Sequence, residues 1–247
     1  AVVIAVPTCL HKDYILKAIA AGKHMFCEKP LVRNTKEGKE VLAALKDYDK
    51  FFFVGHCIRF WPAYVKAHEL IKSGEYGAVL NAHFFRNSPK PTWSWQAWLQ
   101  DDAKSGGAVL DLHIHDVDYV NYVFGKPDKV RAAGVRQGKE GISGVMALYE
   151  YNNGPFISIE GNWAFHPTFP FRMGFRILFE KATVEFHSLV DDKLRIFTAA
   201  GETVIADVPE GDGYVREHQY FFNCIEKGQK PTIVTPQTSY DAVALVE

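Results

Sequence analysis

Residues 1–30 read AVVIAVPTCLHKDYILKAIAAGKHMFCEKP, and their rhythm decides the fold class. Residues 1–6 form a continuous apolar run, the mark of a strand buried on both faces. Pro7 and Thr8 interrupt it. Leu10, Tyr14, Ile15, Ala18 and Ile19 then recur at helical spacing until Gly22 ends the pattern. Residues 24–27 (HMFC) read as a second short strand. Asn34 or Thr35 is placed to cap a helix running to about residue 47, and residues 51–55 (FFFVG) read as a third strand. Strands and helices alternating at this pace require right-handed crossovers and a parallel sheet.

Beyond Arg59 the rhythm changes. A helix is predicted over 62–73, stopped by Gly74, then a strand over 78–86 and a loop rich in proline and tryptophan. A further helix starts near Gly107 and closes before Gly125. Residues 129–207 are mostly alternating strands separated by Gly, Asn and Asp turns, and helices return over 217–227 and from Ser239. The expected fold is α/β: a partial Rossmann-type parallel sheet over 1–58, then an α+β domain over 59–247 with a large, mostly antiparallel open sheet. No G-x-G-x-x-G occurs, since Gly211 and Gly213 lack the third glycine and follow no buried strand. The expectation is that about 60 residues carrying the glycine-rich phosphate turn precede Ala1, at roughly 30 residues per βαβ unit.

Composition narrows the function classes. Lys and Arg number 28 against 29 Asp and Glu, so no basic footprint argues for nucleic acid or anionic membrane. The apolar opening is far too short to span a bilayer, and no basic segment precedes it as in a signal peptide. Cys9, Cys27, Cys57 and Cys224 are scattered without metal-like spacing, which reads as free thiols in a reducing, cytoplasmic setting. Trp61, Trp93, Trp95 and Trp98 lie close together, a pattern of core packing that also lines carbohydrate or cofactor clefts.

Two constellations carry chemistry. Glu28, Lys29 and Pro30 follow the second strand at the carboxyl edge of the sheet, where open α/β sheets bind ligands. Pro30 disfavours helical geometry at Lys29, whose ammonium can donate to a ribose or substrate hydroxyl. Without a ligand, the same residue is a surface lysine beside a turn. Asp111 and His115 lie four apart in GGAVLDLHIHDVD (106–118); on a helix they share one face, and the carboxylate can orient or charge the imidazole. His113, His115, Asp116 and Asp118 offer a metal-ligand alternative, but two-residue spacing turns His113 and His115 to different helical faces. No metal is expected.

In order and spacing, several short motifs recur together: residues 3–8 followed by His11, the Ala20–Lys23 turn with His24, Glu28-Lys29-Pro30-Leu31, residues 54–56, Arg59-Phe60 with Pro62, residues 72–74 with Gly77, and Gly106-Gly107 with Asp111 and His115. Over nearly its whole length the chain resembles the Gfo/Idh/MocA oxidoreductases. The resemblance implies an NAD- or NADP-dependent dehydrogenase acting on a sugar, polyol or cyclitol hydroxyl. In that role Lys29 orients and polarises the hydroxyl, His115 takes its proton, and Asp111 supports His115. It further implies that Pro7, Thr8 and His11 border the dinucleotide, Glu28 the nicotinamide ribose, and Arg59 the nicotinamide side of the cleft. Trp98, Trp163, His166 and Tyr214 become substrate-binding candidates, and the open sheet an interface for a homodimer or homotetramer. The selector between NAD and NADP would lie in the front of the domain, before Ala1. Two departures from the family pattern are His113 and Ala108, each standing where glycine is usual; a bulky His113 is expected to reshape substrate choice. The alternatives are an NAD-dependent glycosidase that recycles its cofactor, and a non-catalytic binding or regulatory paralogue.

Overall fold

The computed structural model describes residues 1–137 and 141–247. Strands β1 (Val2–Ile4), β2 (Met25–Glu28) and β3 (Phe52–Gly55) form a parallel sheet in that order, with Cys27 level with Ile4 and Val54. Helix α1 (His11–Ala20) makes the first crossover and α2 (Thr35–Leu45) the second. The Asn34 side chain caps α2 by accepting from the Glu37 N–H at 2.9 Å. Because the strands are parallel, their carboxyl ends share one edge. That edge collects residues 5–8, 28–29 and 56–59.

A short 3₁₀ turn (Cys57–Phe60) leads into α3 (Pro62–Ser73), which begins with proline and ends at left-handed Gly74, as the sequence predicts. The second sheet has eight strands: β4 (Val79–Pro89), β5 (Lys129–Arg136), β6 (Ile142–Glu150), β7 (Phe156–Phe165), β8 (Arg172–Phe179), β9 (Ala182–His187), β10 (Leu194–Thr198) and β11 (Thr203–Ile205). Their order is β11-β10-β9-β8-β4-β7-β6-β5, antiparallel throughout except for the parallel β4–β7 pair. Alternation sets the faces. Met173, Phe175, Ile177 and Phe179 of β8 are buried beneath α3 and α5 (Ile114–Phe124), while Gly174, Arg176 and Leu178 point the other way. That other face is open, with Met146 55% and Phe156 51% exposed.

The last two helices depart from the expected division at residue 58. Helices α6 (Gly213–Lys227) and α7 (Pro236–Val246) return to the small sheet, where Phe221, Ala242 and Val243 share one core with Phe26, Val41 and Phe53. Each starts earlier than its apolar spacing predicts, because a cap precedes it. Asp212 accepts from the Val215 N–H at 2.8 Å, and Thr235 and Thr238 cap each other. The helix expected from Gly107 is present, preceded by α4 (Asp102–Ser105) and carrying a π-helical turn (Val109–His113) that runs on into α5. Gly106 and Gly107 stand between α4 and that turn at φ 84° and 66°, a conformation closed to most other residues.

Helix α5 braces the two layers with two buried ion pairs. Arg86 on β4 grips Asp116 at 2.9 and 3.2 Å; Arg59, just past β3, grips Asp118 at 2.7 and 2.8 Å. All four side chains are almost fully buried.

Candidate active site

β2 ends at Glu28, so Lys29 emerges at the carboxyl edge of the small sheet. Its ammonium donates to the Asp111 carboxylate and to the Asp111 backbone carbonyl, each at 2.8 Å. That carbonyl belongs to the π-helical turn, a feature frequent at functional sites, and its second lone pair can take the ammonium. The same turn corrects the expected Asp111–His115 pair. With an extra residue in the turn, a four-residue spacing no longer stacks one side chain over the other. Asp111 hydrogen-bonds Lys29, and no hydrogen bond joins it to His115.

His115 sits half-buried in the first turn of α5, its Nδ1 4.0 Å from the Cys57 Sγ. Burial holds its pKa well below the ordinary 6.5, and the positive charges of Lys29 and Arg86 press it the same way. The imidazole is therefore neutral at pH 7. The expectation that Asp111 raises this pKa is overturned, because the nearer unlike partner of Asp111 is Lys29.

A cavity of about 320 Å³ opens over these groups. Thr8, Glu28, Lys29, Cys57, Asp111 and His115 line it, and Trp93, Trp98, Leu99 and Tyr214 complete the wall. Burial raises the Glu28 pKa, against the pull of Lys29. The Thr8 hydroxyl oxygen is buried and no described residue hydrogen-bonds it. Of the expected site residues, the fold thus converges Thr8, Glu28, Lys29, Trp98, Asp111, His115 and Tyr214. Trp163 is buried and lines an adjoining cavity with Trp93, Leu99 and Asp111. Cys57 escaped the sequence reading. Its signal was its place after β3, the same sheet-edge logic that singled out Lys29.

Four expected positions take other roles. His11 is 1% exposed, its ring nitrogens 2.7 Å from the Pro30 carbonyl and 2.9 Å from the Val6 carbonyl. It ties the loop after β1 to the loop after β2 and does not face the cavity. Arg59 is spent on Asp118 and the Ile233 carbonyl, with the Tyr122 ring 4.6 Å from its guanidinium carbon, and it is absent from the cavity wall. Pro7 supplies a carbonyl to the Leu10 N–H and is absent from the cavity wall. His166 is exposed beyond the end of β7 and lines neither cavity. His113 is also turned away: it is 2% exposed, packed against β7 where Gly161 makes room for it. A Cβ at Gly161 would stand 2.6 Å from the His113 Cβ. His113 is therefore no part of the cavity wall. Among the described residues no three His, Cys, Asp or Glu side chains are grouped to hold a metal ion.

Comparison with known proteins agrees with this architecture. Residues 1–56 match the family model described as oxidoreductase family, NAD-binding Rossmann fold, and residues 64–185 match the GFO/IDH/MocA C-terminal domain. The chain belongs to the GFO/IDH/MocA oxidoreductase family. It is 33% identical over 134 residues to the 2,7-anhydro-N-acetylneuraminate hydratase of Escherichia coli (strain K12), covering 54% of this chain and 36% of that protein. It is 26% identical to the scyllo-inositol 2-dehydrogenase (NAD(+)) of Bacillus subtilis (strain 168), over 100% of this chain and 72% of the relative. Levoglucosan dehydrogenase in complex with NADH and levoglucosan shares the fold with a TM-score of 0.86 at 24% identity, over 99% of this chain and 75% of that one. The chain spans less than two fifths of the length of the curated relatives that it matches at 33–35% identity. No described helix is long and apolar enough to cross a membrane.

Proposed function

We propose that this chain works as an NAD- or NADP-dependent dehydrogenase on a hydroxyl of a sugar, polyol or cyclitol. The observation that carries the reading is the Lys29–Asp111 pair set beside a neutral, half-buried His115 in one cavity. An ammonium has three donors. Asp111 takes two, which leaves one to hold a substrate hydroxyl and to favour its alkoxide. His115, uncharged at neutral pH, accepts the hydroxyl proton. When bound, the nicotinamide supplies the hydride acceptor. Thr8, Glu28 and Lys29 are the groups that would hold its reactive end, and the unpartnered Thr8 hydroxyl fits such a contact. Trp98 and Tyr214 offer apolar faces to the substrate ring. The relatives named for scyllo-inositol and levoglucosan support the substrate class.

The open face of the large sheet, with Leu80, Met146 and Phe156 each about half exposed, is the surface through which we place a homodimer or homotetramer. The four free cysteines accord with a cytoplasmic location. A screen of the full-length protein with NAD and NADP against sugars, inositols and sugar acids tests the reading. Appearance of reduced nicotinamide with at least one of them is expected; none across the panel would overturn it. The relative named a hydratase favours one second reading, in which the cofactor is recycled as a glycosidic or anhydro bond opens. Substrate conversion without net nicotinamide reduction distinguishes that outcome.

A further inference from the structure

The geometry points to a second ring-binding chamber beside the reactive one, so that the substrate is a glycoside whose second ring has an apolar face. This rests on the dehydrogenase reading for the reacting half alone. A cavity of about 380 Å³ adjoins the first and shares Trp93, Leu99 and Asp111 with it. Leu112, Trp163 and Phe171 extend its wall. Each chamber alone falls at the small end of the range for ligand sites. Asp111 lies on their common wall and binds Lys29, so a bond leaving the reacting ring would pass the catalytic pair into the second chamber.

The chemistry of that chamber is mostly aromatic and aliphatic. The C–H faces of a pyranose or a phenyl ring pack on such side chains, whereas a free monosaccharide held at Lys29 would leave them in water. The chamber is also preformed. Its roof is the loop after β4, in which Gln96 and Ala97 both take left-handed φ near 50°. That loop is tied internally: the Leu99 N–H donates to the Ser94 hydroxyl, and the Gln100 amide donates to the Pro91 carbonyl, each at 3.3 Å. Trp98, Leu99, Leu112 and Trp163 then pack as one apolar cluster beneath it. A wall this ordered costs little to organise when the ligand arrives.

The test is a tryptophan-fluorescence titration of the full chain, run beside the turnover assay. The probes are free hexoses set against phenyl glycosides and disaccharides of the same hexoses. At least one two-ring compound should bind ~10-fold or more tightly than its parent hexose, a tenfold step being 1.4 kcal/mol. Phe171→Ala, at a residue 48% exposed and so safe for folding, should remove most of that advantage and change hexose affinity less than about twofold. A phenyl advantage without a disaccharide advantage identifies an apolar aglycone, and the reverse identifies a second sugar. Equal affinity for one-ring and two-ring compounds, or an advantage untouched by Phe171→Ala and by Trp163→Leu, would overturn the chamber. Binding is read apart from turnover: a tenfold preference with no nicotinamide reduced sinks the dehydrogenase reading and leaves the chamber standing.

Discussion

Lys29 and Asp111 are joined twice, through the carboxylate and through the backbone carbonyl, each at 2.8 Å. The two residues come from different layers, one from the tip of β2 and the other from the π-helical turn before α5. The contact therefore fixes where the parallel sheet meets the large domain, at the place where the proposed chemistry occurs.

Lys29→Met keeps the length of the stem and removes the charge. Turnover should fall by ~10²-fold or more, about 2.7 kcal/mol, as for loss of one preorganised donor. Lys29→Arg should not restore it, since a planar fork cannot reproduce a compact ammonium with one free donor. Steady-state rates on folded protein, checked by circular dichroism, decide the matter. Near-normal turnover in the Met variant would demote Lys29 to a tether for Asp111.

The His115 prediction concerns pH. Only the neutral imidazole accepts a proton, so oxidation fails as pH falls through the His115 pKa. That pKa is held well below 6.5 by burial and by Lys29 and Arg86, so the acidic limb of kcat/KM should lie well below the ordinary imidazole value. His115→Ala should cost ~10²–10⁴-fold in rate. His113 is the control: His113→Gly empties the space beside Gly161 and should lower stability while leaving the limb in place. A limb near 7 in the wild type would contradict the buried, neutral state.

The buried pair Arg59–Asp118 yields a stability prediction. Arg59→Met strips Asp118 of its bidentate partner inside the protein, leaving only the neutral His56 ring with its Nδ1 3.4 Å away, and should cost about 3–5 kcal/mol in urea unfolding. The double change Arg59→Met/Asp118→Leu should recover much of the loss, because both the charge and its missing partner are then gone. Additive losses would mean that the two side chains act separately.

How far could the sequence be read? The three strands and two helices of the parallel sheet were legible because fully apolar strands and Gly or Asn punctuation are local signals. Lys29 was legible for the same reason, its place being set by β2 and Pro30. The role of Asp111 was not, because a π turn and a regular helix share one hydrophobic pattern over so few residues. The family resemblance implied Arg59 on the nicotinamide side of the cleft and His11 beside the dinucleotide. Their actual partners, Asp118 and the carbonyls of Val6 and Pro30, are set by tertiary packing that no periodicity encodes. The return of α6 and α7 to the small sheet is likewise a matter of topology, since an amphipathic helix does not specify which apolar layer it covers.

Glu217 supplies the last prediction. It lies in α6, which packs against the turn after β3, and is 0% exposed; no described residue hydrogen-bonds either carboxyl oxygen. Burial is the main cause of a pKa pushed up to about 9, and the negative charges of Glu28, Asp118 and Asp212 add to it. In the folded protein Glu217 is therefore protonated at pH 7, whereas in the unfolded chain it titrates near 4.5. Folding takes up a proton throughout that interval. The contribution to stability is complete below about pH 4.5, declines as pH rises, and is lost above about pH 9, with a slope of at most about 1.4 kcal/mol per pH unit. Glu217→Gln keeps the shape and cannot ionise, so it should flatten this part of the profile. Urea midpoints at pH 5 and pH 8.5 measure it: the two proteins should differ little at pH 5, and the Gln variant should be the more stable at pH 8.5. If the wild type is the more stable at the higher pH, Glu217 is ionised in the fold and holds a cationic partner there.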